Sequence, residues 1–335
     1  MGNKNTKGKE SNGPNPILKR KENEYLNWSN DFQKPLKAYK VNNLWVFFAF
    51  QLLDGRIAVG GNGFDFQIYI IGKESFENIV ISIFNGDGIS DLIQMPDGML
   101  IAIGEQAVII QIGETNYEIK QRVECNEPLG FSKIAHLSCG QVAISTLHKI
   151  KLFDYKEGKL SIKKEINLGN NVDGLTFFEY KPNEIAISCR QKLGESENKC
   201  IFNFYNTVKR KKIKSLPAEN NISSRGQKFT NISDNFIVMA DDKNIYVINV
   251  NNYTISQTLK INDDGIINCF LRLNDSILLA GNDKGTLYEY EIKEKEINLK
   301  NTFKQISQLE TIEHISKYEG DKIILGGKKE DVYIF

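Results

Sequence analysis

Histidine occurs three times in this 335-residue chain, tryptophan twice and proline seven times. No apolar stretch approaches the roughly 18 residues that a membrane-crossing helix needs. The polar N-terminus lacks the apolar segment of a secretory signal, which points to a cytoplasmic protein. His136, His148 and His314 are far apart and no Cys-x-x-Cys pair occurs, so metal-ligand spacing is missing. The cysteines Cys125, Cys139, Cys189, Cys200 and Cys269 are odd in number and widely spaced, as expected of reduced thiols serving as small apolar groups. Cys189 and Cys200 flank an inserted hairpin. Charge of one sign is not in excess either: 43 Lys and Arg stand against 42 Asp and Glu, a net of +1 that argues against a nucleic-acid-binding body. No Gly-x-Ser-x-Gly elbow, His-Glu-x-x-His, phosphate loop or dinucleotide fingerprint is present. Gly61-Asn62-Gly63 and the stretch FNGDGISD at 84–91 read as inter-strand turns, the second lacking the alternating acidic ligands of a calcium loop. The expectation is therefore a chain that is not an enzyme, with no catalytic residue, cofactor or metal.

What the chain does have is repetition. Turn-forming residues recur at Gly55, Gly98, Gly140, Asn183, Asn235, Asp275 and Asp321, 40 to 52 residues apart, each between two short apolar runs. That period fits the blades of a β-propeller and exceeds that of ankyrin or leucine-rich units. The run after each turn is almost continuously apolar (RIAVG, MLIAIG, QVAIS, EIAIS, FIVMA, ILLAG, KIILGG), as a strand buried on both faces requires. Gly281–Gly285 supplies a polar hairpin before a third strand, with residues that tolerate positive φ. The fold class is thus all-β, a seven-bladed β-propeller. Its last copy stops at Phe335 without an outer strand. Residues near Lys34–Val41 are expected to complete that blade, hiding sheet edges whose unpaired backbone groups invite aggregation, so that deleting 30–42 destabilises the whole domain.

Residues 34–335 resemble a WD-repeat propeller with degenerate motifs. Phe153-Asp154 stands nearest to the Trp-Asp dipeptide, and Gly281–Tyr290 is similar to the turn and third strand of a standard repeat. The Gly-His pair that opens such repeats is missing throughout, so the family's buried Asp–His–Ser/Thr–Trp network is incomplete. The resemblance implies binding of protein partners through the loops at one end of the ring. The long connections at Gln191–Lys199 and Ser215–Phe229 are the candidate binding loops.

Residues 1–31 differ in kind from the propeller at 32–335, being rich in Asn, Lys, Gly and Pro and poor in aliphatics, as a disordered tether is. They begin Met1-Gly2-Asn3-Lys4-Asn5-Thr6, which matches the N-myristoylation pattern with Gly2 as acceptor. One myristoyl chain holds a membrane only marginally, and a second signal is needed. Lys4, Lys7, Lys9, Lys19, Arg20 and Lys21 provide it, opposed up to residue 21 by Glu10 alone. Each contributes about 1 kcal/mol near an anionic leaflet.

The sequence therefore predicts a scaffold or adaptor held at a cytoplasmic membrane face by a lipidated basic tail, with protein partners on the propeller loops. The alternative is a soluble WD-repeat subunit of a larger complex, such as a ubiquitin-ligase receptor or a cytoskeletal or ciliary assembly, with an unmodified tail. A phosphoinositide-binding propeller would carry Phe-Arg-Arg-Gly, which does not occur. The basic run KRKKIK at Lys209–Lys214 reads as a solvated hairpin edge.

Overall fold

The computed structural model describes residues 35–335 except 42–43, 64–66, 73–78, 84–87, 126–131, 170, 193–197, 221–227, 262–264, 305, 307–308 and 329–330. The described chain forms seven four-stranded antiparallel sheets. The first six are consecutive meanders within 44–82, 91–124, 134–167, 172–217, 229–260 and 267–303, called here blades one to six. Blade seven joins the strands His314–Tyr318, Lys322–Gly326 and Asp331–Ile334 to the strand Lys37–Lys40. Successive blades contact one another around the whole circle, mostly through their inner strands, and blade seven packs back on blade one. The architecture is a seven-bladed β-propeller.

The predicted turns lie where the first strand of each blade turns into the second. Gly55, Gly98, Gly140 and Asn183 adopt φ between 65° and 88°, the left-handed region that a Cβ disfavours. In blade seven that role belongs to Gly320, one residue before Asp321. The second strands are buried nearly throughout, and the described core divides into seven clusters, one at each blade interface. Apolar area thus holds blade to blade, at roughly 25 cal/mol per Å², and backbone pairing holds each blade together.

Close approach at the interfaces requires small residues late in the second strand. A Cβ added at Gly281 would lie 2.4 Å from the Ile312 side chain, and one at Gly326 would lie 2.5 Å from that of Val46. Ser145, Ser188 and Ala240 hold the matching register in other blades. A further regularity occurs at the rim. In blades two to six the pairing of the third and fourth strands slips by one residue, bulging out Lys120, Lys163, Ile213, Ser256 and Lys300. Bulges blunt an exposed edge against pairing with another chain.

The closing strand pairs Lys37 with Ile334 and Lys40 with Asp331, antiparallel, and Val41 is buried at the interface of blades seven and one. The predicted closure by the N-terminal segment is thereby met.

Other expectations need correction. Gly61, Asn62 and Gly63 belong to the strand Ile57–Gly63 and form no turn, since Gly61 lies so close to the bulged inner strand that a Cβ would strike the Trp45 and Phe47 backbone. Of the predicted loop Gln191–Lys199, Gln191, Lys192, Asn198 and Lys199 are strand residues paired with each other, which lengthens the blade-four strands, and 193–197 lie outside the described residues. Ser215–Pro217 and Phe229 are likewise strand residues, and the described parts of that connection are 218–220 and 228. Of FNGDGISD, residues 84–87 lie outside the described residues and Asp91 opens a strand.

Candidate interaction surfaces

Strand alternation gives the ring two unlike ends. First-to-second and third-to-fourth turns lie at one end. Second-to-third turns and the inter-blade connections lie at the other, the end where the resemblance placed binding loops.

At the second end, blades five and six carry the same local device. Asp241 follows the second strand of blade five, and its carboxylate accepts from the backbone N–H groups of Lys243 (2.8 Å), Asn244 (2.7 Å) and Asn220 (3.0 Å) and from the Tyr246 hydroxyl (2.5 Å). Tyr246 Oη in turn accepts from the Glu219 N–H at 3.0 Å. Burial and the donation to Asp241 push the Tyr246 phenol upward, so it stays protonated and donates. In blade six, Asn282 accepts from the N–H groups of Lys284 (3.0 Å) and Thr286 (2.7 Å) and donates to Tyr288 Oη at 3.3 Å. A short polar side chain in the turn and a tyrosine in the third strand therefore lock each hairpin. Sequence reading passed over these residues. The signal was available as the parallel runs ADDKNIYV and GNDKGTLYEY, with Asp or Asn five or six residues before Tyr.

Beside this device lies an open groove of about 630 Å³ around the blade-five hairpin, walled by the connections into and out of that blade and lined by Glu219, Asn220, Lys243, Asn244, Lys260 and Ile266, among others. Lys228, wholly buried at the start of blade five's inner strand, reaches Asp242 at 3.4 Å behind it. Burial lowers the Lys228 pKa, and the Asp242 charge opposes that shift.

Near the axis the inner strands bring together Asp91 and Lys133 at 3.7 Å. Burial raises the Asp91 pKa, and Lys133 opposes this. His314 begins blade seven's inner strand with Nε2 buried and no hydrogen-bond partner. Burial, aided by the Lys133 charge, holds its pKa down at about 3. Among the described residues no three His, Cys, Asp or Glu side chains are grouped to hold a metal ion.

All five cysteines are free thiols, and Cys139 alone among them is exposed. Cys189 and Cys200 are near in register but face opposite sides of blade four, packing toward blades three and five respectively. Burial raises the Cys189 thiol to about 12, which leaves it unreactive. Gly2, Lys4, Lys7, Lys9, Lys19, Arg20 and Lys21 lie outside the described residues.

Solved structures share this architecture. A chain of the mitotic checkpoint complex aligns with a TM-score of 0.68 at 9% identity over 98% of each chain. The WD40 β-propeller domain of Doa1 aligns at 0.65 and 14% identity, over 90% of this chain and 96% of the domain. The chain has the WD40 propeller fold. Raptor from Chaetomium thermophilum aligns at 0.69 and 10% identity over 89% of this chain and 29% of Raptor. No protein-family model matches the chain, and no curated protein matches it. Within this WD40 fold, Phe153-Asp154 lies in blade three's third strand, with Asp154 bonded to Gln141 (2.9 Å) and Lys163 (2.7 Å). The Asp241–Tyr246 and Asn282–Tyr288 pairs each join the second-to-third turn to the third strand without a histidine or tryptophan.

Proposed function

We propose that this chain is a non-enzymatic protein-interaction scaffold, tethered to a cytoplasmic membrane face by myristoylated Gly2 and by the cations Lys4, Lys7, Lys9, Lys19, Arg20 and Lys21. The observation that carries the reading is the polarity of the ring. The chain enters its closing strand at Leu36 and Lys37, at the end that holds the first-to-second and third-to-fourth turns. A tether leaving there is attached at the end opposite the groove and braced turns, so that attachment leaves them open to protein partners. The WD40 neighbours support the scaffold part, one being a chain of a multi-protein complex. Acyl chain and basic residues together supply the two signals that stable attachment needs.

The test is the intact mass of the N-terminal peptide from protein made in its own cells, with membrane fractionation of the wild type and Gly2→Ala. A myristoyl adduct, and loss of the variant from the membrane fraction, are expected. A free or acetylated N-terminus with soluble behaviour would leave the soluble WD-repeat subunit with an unmodified tail.

A further inference from the structure

Among the described residues, blade four's rim is densely basic. Lys209, Arg210, Lys211, Lys212 and Lys214 occupy its third-to-fourth turn and the start of its outer strand Lys211–Pro217, and all five side chains are exposed. Among the described residues none of them has a carboxylate partner. The bulged lysines of other outer strands are paired instead, Lys120 with Glu118 at 2.6 Å, Lys163 with Asp154 at 2.7 Å and Lys300 with Glu289 at 3.0 Å. Two apolar side chains are interleaved with the free cations, Val208 at 58% and Ile213 at 37% exposure.

We propose that this ridge docks a short acidic segment of a partner protein that also carries apolar residues. The assignment rests on the scaffold reading and gives it a second surface, at the rim. Three observations select this ligand. The bulge at Ile213 and the flanking lysines discourage addition of another strand by backbone pairing, so recognition falls to side chains. Val208 and Ile213 offer apolar contact that a phosphate backbone would leave unused. The other turns at the same end of the ring carry exposed acids, Glu114, Asp234 and Glu294 among them, while Glu157 and Asp275 there are paired with Lys156 and Arg272. A broad anionic surface such as a bilayer or a nucleic-acid duplex would meet those charges, whereas a short segment confined to blade four avoids them.

The test uses the full chain and a fluorescent peptide in which glutamate alternates with leucine, beside its glutamine counterpart, phosphatidylserine vesicles and a single-stranded RNA of similar length. The variant Lys209→Glu/Arg210→Glu/Lys212→Glu reverses the ridge, and Lys120→Glu/Lys163→Glu/Lys300→Glu makes the same charge change elsewhere on the rim. Unfolding midpoints check that both variants fold. The acidic peptide is expected to bind the wild type and the rim control, to lose roughly tenfold or more in affinity for the reversed ridge, and to bind less tightly as salt rises. A lysine–leucine peptide is expected to gain affinity for the reversed ridge. Equal binding of the acidic peptide to all three proteins, or ridge-dependent binding of the vesicles or RNA in preference to it, would overturn the proposal. Cellular partners still captured by the reversed variant, together with unchanged peptide binding, would remove the ridge and leave the scaffold standing.

Discussion

Blade four and blade seven stand across the ring from each other and fill equivalent places with opposite resources. Blade four takes strands of ten, nine, nine and seven residues from one stretch of chain. Blade seven has three strands of five, five and four residues, and it borrows a four-residue outer strand from the other end of the sequence. Surplus length in a contiguous blade projects along its strands beyond the ring and leaves the neighbours undisturbed. A blade assembled from distant segments has no such freedom, because its outer strand both completes a sheet and fastens the circle.

The sharpest way to break this comparison is to remove the closing strand. Deleting residues 35–41 strips Tyr39 and Val41 from the interface of blades seven and one, about 3 kcal/mol of apolar burial. The thermal midpoint is expected to fall by about 5 °C. Trimming the paired residues Gln191, Lys192, Asn198 and Lys199 from blade four is expected to cost far less, chiefly the 3.2 Å Lys192–Asp173 ion pair. Thiol labelling locates the damage. After the first deletion Cys269, against Ile312 near the seam, should react before Cys200, which packs between blades four and five. Equal rates would mean that the ring opens elsewhere.

Matched substitutions at one register come next. Gly326→Ala in blade seven forces a Cβ against Val46 and is expected to cost about 1–3 kcal/mol in urea unfolding. Ser188→Ala in blade four removes a buried hydroxyl that has no hydrogen-bond partner and is expected to be neutral or slightly stabilising.

A further contrast is in pH. Folded His314 resists protonation down to about 3, whereas the unfolded residue takes up a proton near 6.5. The unfolded state therefore binds the extra proton between those values, and acidification through that window lowers stability. His314→Gln should flatten the dependence there relative to the wild type. Thr176 holds the same register in blade four and does not titrate, so Thr176→Val should leave the slope unchanged.

The features legible in the sequence are those whose physics is local. Turn chemistry marked all seven first-to-second turns because residues such as Gly55 and Asn183 are chosen for a backbone conformation. Continuous apolar runs marked the second strands because both faces are buried. The rim bulges left no trace, since a one-residue slip such as that at Lys163 changes pairing without changing composition. Gly61 was misread for the same reason. Its glycine serves a neighbour 16 residues back in the chain, at Trp45, and so resembles a turn residue when taken alone. On the blade-four rim, the exposure of KRKKIK was readable from its charge. The lack of any carboxylate partner was not, because it depends on which residues the adjoining strands bring near.

Closure by the first strand also sets an order of events during synthesis. Lys37–Lys40 emerges almost 300 residues before its partner Asp331–Ile334, an interval of roughly 15–60 s at common elongation rates. Throughout that wait the segment must avoid pairing with any of the six sheets made before its own. Its brevity and the lysines at both ends suit it to waiting, since short, charged strands make poor partners for the wrong edge.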